Sequence, residues 1–349
     1  MTSLRLLLFA AGLFLPPLAG AWLAGLPLGP HLRFPWRSLV AGPGGCSWLL
    51  LTGLTLVLLA LLLLLFVWLR RHLHRGAGTV RAFPGWGWAG PALILLAWPI
   101  SWSATPALAP LQPWIFTPLW LGYIVTVNGL AWWRGGRSLL RQRPADALLL
   151  FLGSALFWWY FEFLNGFVHN WRYVGALPAD DLAYTLRASL AFSTVLPAVI
   201  GTRDLLASLL RLEQGGDTPP AWCGGPLLAA GLLGLLLLPI LPHTLYPLLW
   251  LAPLAVITGL QRLQGLPSIL DGWGPRCRDE AFCIALAALC CGLFWELWNW
   301  QARIKWLYTV PGLDCLHLFE MPLPGYAGYL PFGLECLAVA RLLRPRAGI

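Results

Sequence analysis

The sequence predicts an all-α polytopic membrane protein with about ten transmembrane helices, eight of them in two parallel four-helix repeats. Three observations predict it: long uncharged apolar runs, arginines gathered in alternate loops, and a second half that restates landmarks of the first. The chain is 58% hydrophobic and only 11% charged, with mean hydropathy +0.71. Soluble domains carry about 25% charged residues, and disorder needs high charge with low hydrophobicity. Both classes are excluded.

A spanning helix needs roughly 20 apolar residues. Ten stretches qualify, at about 3–25, 47–69, 88–105, 114–133, 147–168, 185–209, 225–241, 246–262, 281–302 and 324–342. The second is the clearest, uncharged from Ser47 to Leu69 and stopped by Arg70, Arg71, His72, His74 and Arg75. The stretches near 88–105 and 225–241 are the weakest, being short or rich in proline. In the first, Arg5, an apolar run and Ala19-Gly20-Ala21 also fit a cleavable signal peptide. Pro16-Pro17 interrupts that run and favours a retained helix.

Cytoplasmic loops carry an excess of Lys and Arg. With the Arg70–Arg81 loop inside, alternation puts 17 of the 23 basic residues inside. The six outside are Arg33, Arg37, Arg172, Arg187, Arg303 and Lys305. Both termini are then cytoplasmic, in a membrane of the bacterial inner type. The net charge of +9 follows from topology, so no nucleic-acid partner is implied, although the basic loops suit anionic membrane lipids. None of the eight cysteines forms C-x-x-C. Cys46 and Cys315 both fall outside and are the candidates for a bridge, for which sequence supplies no geometry.

The repeat is an ordered set of landmarks. Pro118-Leu119-Trp120 answers to Pro247-Leu248-Leu249-Trp250, and Ser138-Leu139-Leu140 to Ser268-Ile269-Leu270. Glu162-x-x-Asn165 answers to Glu296-x-x-Asn299, Trp171-x-Tyr173 to Trp306-x-Tyr308, and Leu196-Pro197 to Leu330-Pro331. The expected organisation is a two-helix addition at 1–87, repeat A at 88–211 and repeat B at 212–349. Parallel repeats imply a pseudo-two-fold along the membrane normal.

Acids in an apolar span are costly and count as functional candidates. Four occur: Glu162, Asp204, Glu296 and Glu335. Asp204 adjoins Arg203 and reads as an interfacial ion pair. Glu162, Asn165 and His169 share one helical face, as do Glu296, Asn299 and Arg303. Facing each other, the two stripes would line an outward-facing cleft, or glue helices by hydrogen bonds. Trp158 and Trp295 are deep enough to wall a ligand pocket, whereas Trp171 and Trp306 fit an interfacial belt. Carboxylates beside tryptophan suit a cationic or polyhydroxyl headgroup. The expected ligand-binding set is therefore Glu162, Asn165, His169, Trp158, Glu296, Asn299, Arg303 and Trp295.

The loop Asp314 to Pro322 spaces Asp314, His317 and Glu320 by three, so a short helix or re-entrant segment would lay them over the cleft. With Glu296, Glu162 and His169 they would suffice for a divalent metal. Glu-x-x-Asn twice and His-x-x-Glu once match a carboxylate-bridged site only in part, so no metal is assigned and the cofactor stays open. Pro197 and Pro331, inside their spans, should kink the helices beside the Glu/Asn faces. Gly85-Trp86-Gly87-Trp88-Ala89-Gly90 satisfies G-x-G-x-x-G but follows no strand, which a dinucleotide site requires.

Three function classes remain. The leading one is binding or transport of a lipidic or amphipathic small molecule in the cleft. The second is a membrane-embedded enzyme acting on a lipid or isoprenoid-linked substrate. Its candidate catalytic residues are Glu162, Glu296, His169 and His317, as general acids or bases. The third is a non-catalytic membrane scaffold or sensor.

Overall fold

The structure is a computed structural model, and it describes residues 3–73, 81–213, 217, 220–271 and 273–343. His74 of the stop after the second stretch, and Arg75, Arg344 and Arg346 of the inside tally, lie outside the described residues. Eleven helices of twelve residues or more carry the described fold. They are α1 (Ser3–Leu23), α2 (Trp48–His72), α3 (Ala89–Trp102), α4 (Phe116–Gly135), α5 (Pro144–Val168), α6 (Asp181–Phe192), α7 (Val195–Leu209), α8 (Gly224–Leu237), α9 (Leu248–Leu263), α10 (Pro275–Trp300) and α11 (Tyr329–Leu343). Four short strands complete it: β1 (Trp171–Val174), β2 (Lys305–Tyr308), β3 (His317–Leu318) and β4 (Met321–Pro322). The architecture is consistent with an all-α membrane protein. Among the described residues, five helical segments are long and apolar enough to cross a bilayer: Leu4–Leu23, Trp48–His72, Pro144–Val168, Asp181–Leu209 and Pro275–Trp300.

Local chemistry sets the ends. The Ser47 hydroxyl caps α2 by accepting from the Leu50 N–H at 3.3 Å. Arg70, Arg71 and His72 in its last turn complement the helix dipole. Pro144 and Pro275 begin α5 and α10, where a missing N–H costs nothing. Helix α4 ends at Gly136, whose φ of 64° is left-handed.

Helices occupy each of the ten apolar stretches, with one revision. The stretch 185–209 is two helices, α6 and α7, broken at Ser193 and Thr194. Pro197 is therefore the third residue of α7, and Pro331 is the third residue of α11. The expected mid-helix kinks are not there. A proline in the first turn removes an N–H that has no intrahelical partner, so each helix starts two residues before its proline, which sits in the first turn.

Small residues bring two helix pairs together. A Cβ on Gly90 of α3 would lie 2.7 Å from the Gly122 carbonyl oxygen of α4. A Cβ on Gly259 of α9 would lie 2.8 Å from the Gly224 carbonyl oxygen of α8. Without a hydrophobic drive between helices in lipid, such close backbone contact is what holds a pair. Helices α5, α7, α10 and α11 pack between these pairs and share one core.

The two ends of the bundle differ. At one, Arg203 bonds Asp204 and Glu280, each at 2.9 Å, and Arg341 meets the other Glu280 oxygen at 2.5 Å. At the other end, β1 and β2 form an antiparallel ribbon. The segment between α1 and α2 laces over that ribbon end. Its Cys46 is disulfide-bonded to Cys315, with Cα atoms 5.7 Å apart.

Candidate functional site

The ribbon is built by two asparagines. Helix α5 stops where His169 turns left-handed, at φ 52°. Asn165, four residues earlier, then reaches forward. Its Oδ1 accepts from the N–H of Asn170 at 2.8 Å and of Trp171 at 3.3 Å, and its Nδ2 donates to the Trp171 carbonyl at 2.7 Å. Asn299 does the same for Trp306, accepting from its N–H at 2.9 Å and donating to its carbonyl at 2.8 Å. Each amide therefore holds its strand like one more residue of sheet. This is interhelical glue made specific: the asparagines hold backbone and do not line a cleft.

The strands pair Trp171 with Tyr308, Arg172 with Leu307 and Tyr173 with Trp306. Each tryptophan faces the other strand's tyrosine. Side chains alternate along a strand, so all four rings share one face, turned toward the bundle. Trp171 is only 4% exposed. Trp171 and Trp306 are thus central wall residues and not an interfacial belt. The ribbon carries them inward, whereas a continued helix would have left them among headgroups.

The carboxylates hold the polar ends of three of these rings, and the fourth, Trp306, donates its Nε1 to the Tyr308 hydroxyl at 2.9 Å. Glu162 Oε1 accepts from Trp158 Nε1 at 3.0 Å, Trp171 Nε1 at 3.1 Å and the Tyr173 hydroxyl at 2.8 Å. Its Oε2 accepts from the Ser38 hydroxyl at 2.5 Å. Glu296 Oε1 accepts from the hydroxyls of Tyr308 at 2.8 Å and Tyr329 at 2.7 Å. Its Oε2 has no partner among the described residues. Burial, then the adjacent Glu162, pushes the Tyr173 phenol well above its ordinary value. Burial and then Glu296 do the same for Tyr308. Both tyrosines therefore stay protonated and donate.

Inside this frame lies a partly open cavity of 170 Å³. Its walls include Trp158, Trp171, Trp250, Trp295 and Trp306, closed below by Phe332. Trp250 stacks on Trp171 with centroids 6.1 Å apart, and Trp295 stacks on Tyr329 at 6.1 Å. A dry cavity of roughly 150 Å³ accepts a benzene-sized molecule.

The expected site residues divide sharply. Trp158 and Trp295 line the cavity. Glu162 and Glu296 stand behind its wall, 1% and 0% exposed. Asn165 and Asn299 hold the strands. Arg303 is away from the cavity and donates to the Ser103 carbonyl at 3.2 Å. His169 is at the flap formed by the segment between α1 and α2, where its carbonyl accepts from the Gly42 N–H at 3.1 Å. Burial, then nearby His243, lowers His169 below the ordinary histidine value.

The loop after β2 is a tight hairpin of β3 and β4, not a helix over the cleft. Leu316 and Phe319 take left-handed conformations, with φ of 54° and 58°. His317 is exposed beside Asp314, 3.5 Å away, and Glu320 bonds Lys305 at 2.5 Å. No hydrogen bond joins His169 or His317 to Glu162 or Glu296 among the described residues. Among the described residues, no group of three or more His, Cys, Asp and Glu is placed to hold a metal ion. Asp204 is paired with Arg203, and Glu335 is fully buried in α11 with both oxygens unpartnered among the described residues.

Ser38, Trp250, Tyr329, Arg187 and Lys305 also belong to the site. Trp250 is visible in the repeat landmarks, and Tyr173 and Tyr308 in the Trp-x-Tyr pair. Ser38 sits in a polar loop and has no sequence signal. Against known proteins the chain matches no family, no curated relative and no solved structure.

Proposed function

We propose that the chain binds or transports a lipidic or amphipathic small molecule, seated in the tryptophan-walled cavity between two internal repeats. The observation that carries the proposal is the cavity itself: five tryptophan rings line it, and the indole N–H groups of Trp158 and Trp171 are turned onto the buried Glu162 and that of Trp306 onto Tyr308. Largely aromatic walls of this kind favour an apolar ligand segment.

The proposal includes ten spans, a two-helix addition at 1–87 and parallel repeats at 88–211 and 212–349. Its support is spatial recurrence. Asn165 and Asn299 make the same clamp, and the ribbon register is self-complementary, as a two-fold requires. Phe161 of α5 meets Trp250 at 4.8 Å, and Trp295 of α10 meets Trp120 at 4.8 Å. Orientation is proposed with the ribbon end outside and both termini cytoplasmic, in a bacterial-type inner membrane. The Cys46–Cys315 bridge at that end supports it, because disulfides persist in oxidising compartments.

Native mass spectrometry of the detergent-purified protein tests the reading, with wild type beside Ala188→Trp. Ala188 lines the cavity, so the larger ring fills it. The expected result is a co-purifying molecule in wild type that the variant lacks. Bare wild-type protein that added amphiphiles neither bind nor stabilise would overturn it. A membrane-embedded enzyme is favoured by one observation, the unpartnered Glu296 Oε2. A co-purifying molecule whose mass differs between wild type and Glu296→Gln would support that alternative.

A further inference from the structure

The sign of charge at the cavity is the reverse of what the acidic stripes suggest. Both carboxylates are spent on the wall, and no Asp or Glu is among the residues lining the cavity. Two cations do line it, Arg187 from α6 and Lys305 from β2. Arg187 belongs to the stripe of α6 that faces the cavity, with Tyr184, Ala188 and Ala191 at helical spacing. Its Nη1 donates to the Ala176 carbonyl at 3.2 Å, and it has no acidic partner among the described residues. A guanidinium carries five N–H donors in a fork that fits an oxyanion, so most of them remain available. Lys305 is held between the Trp300 carbonyl at 3.0 Å and Glu320 at 2.5 Å, which leaves it the weaker of the two. A half-exposed guanidinium beside an aromatic cavity, with no acidic partner among the described residues, is placed to take an anionic group.

We propose that the ligand is an anionic amphiphile. Its phosphate-like headgroup sits on Arg187, with Lys305 in support, and its chain enters among Trp158, Trp250 and Trp295. This inference rests on the cavity reading above and adds the charge of the ligand to it.

The experiment measures adducts by native mass spectrometry in a neutral detergent, with four probes: dodecyl phosphate, dodecanol, dodecyltrimethylammonium and inorganic phosphate. Wild type should bind dodecyl phosphate at least about tenfold more tightly than the alcohol or the ammonium, the scale of one charge-assisted contact. Arg187→Gln should remove about that factor, Arg187→Lys should restore part of it, and Lys305→Gln should cost about threefold. Ala188→Trp should lose dodecyl phosphate with Arg187 intact. Inorganic phosphate alone should neither bind nor compete. Dodecanol binding as tightly as dodecyl phosphate would sink the charge assignment while leaving the cavity reading intact. Inorganic phosphate binding as well as the amphiphile would replace the lipid source with free phosphate. Binding by no probe would remove both readings. The wild-type probe series decides the matter even if an Arg187 variant fails to fold.

Discussion

Glu162 and Glu296 are the same device in two states of completion. Glu162 accepts four hydrogen bonds and has both oxygens engaged. Glu296 accepts two and leaves Oε2 bare, although it is 0% exposed. Part of the difference comes from the segment between α1 and α2, which delivers Ser38 to Glu162 Oε2 while Glu296 Oε2 receives nothing equivalent. The rest comes from the indoles: Trp158 and Trp171 both donate to Glu162, whereas Trp306 donates to Tyr308. The second nest is two bonds short of the first. The first nest is complete, and the second keeps one buried oxygen without a partner among the described residues.

The largest test of this contrast is deletion of each carboxylate. A stranded buried donor costs about 1–3 kcal/mol. Glu162→Ala strands four and Glu296→Ala two, so the loss of stability should be about twice as large at Glu162. Thermal unfolding in detergent checks this, and equal losses would break the comparison. Next is the lacing of the flap. Cys46→Ser/Cys315→Ser should lower stability by about 2–4 kcal/mol, with reductant producing the same shift in wild type and none in the variant. Ser38→Ala comes third, at about 1–3 kcal/mol, because the hydroxyl both donates to Glu162 and accepts from Asn165 Nδ2 at 2.8 Å. It leaves Glu162 Oε2 bare like that of Glu296, and an unchanged thermal midpoint in Ser38→Ala would break the contrast between the two nests.

The smallest effect is on pH. His31 stacks on Phe167 at 4.0 Å, and burial, then His169, lowers it below the ordinary value of 6.5. His169 is lowered as well. A depressed histidine is neutral in the fold while the unfolded chain already binds a proton. Their contribution is therefore full above about pH 6.5 and is lost as pH falls through the lowered folded values. Protease nicking of residues 33–46 should rise over that window in wild type and stay flat in His31→Phe/His169→Phe.

Much of the site was legible. Glu162, Glu296, Asn165 and Asn299 stood out because polar groups are rare in apolar spans. Trp158 and Trp295 stood out by their depth. The direction of each side chain was not legible. Helical spacing puts Glu162 and Asn165 on one face, but that face meets Ser38 and Trp171 rather than open space. A ribbon of four residues beside long helices has no periodicity of its own, so Trp171 and Trp306 looked like interface anchors. The prolines misled for a related reason: a proline marks a break, and whether it kinks a helix or begins one depends on where the preceding turn ends.

By itself the sequence determined the solvent. Runs of twenty apolar residues have one favourable place to be, and backbone bonding in lipid then demands helices. It also determined which few polar residues had to matter, since each must be satisfied in that setting. The tertiary structure decided what satisfied them. Ser38 lies 124 residues from Glu162, and Cys46 lies 269 from Cys315. Those partners consumed the acids, turned the aromatic faces inward and left Arg187 and Lys305 as the charged residues lining the cavity, so the sign of charge there was set by contacts between distant segments.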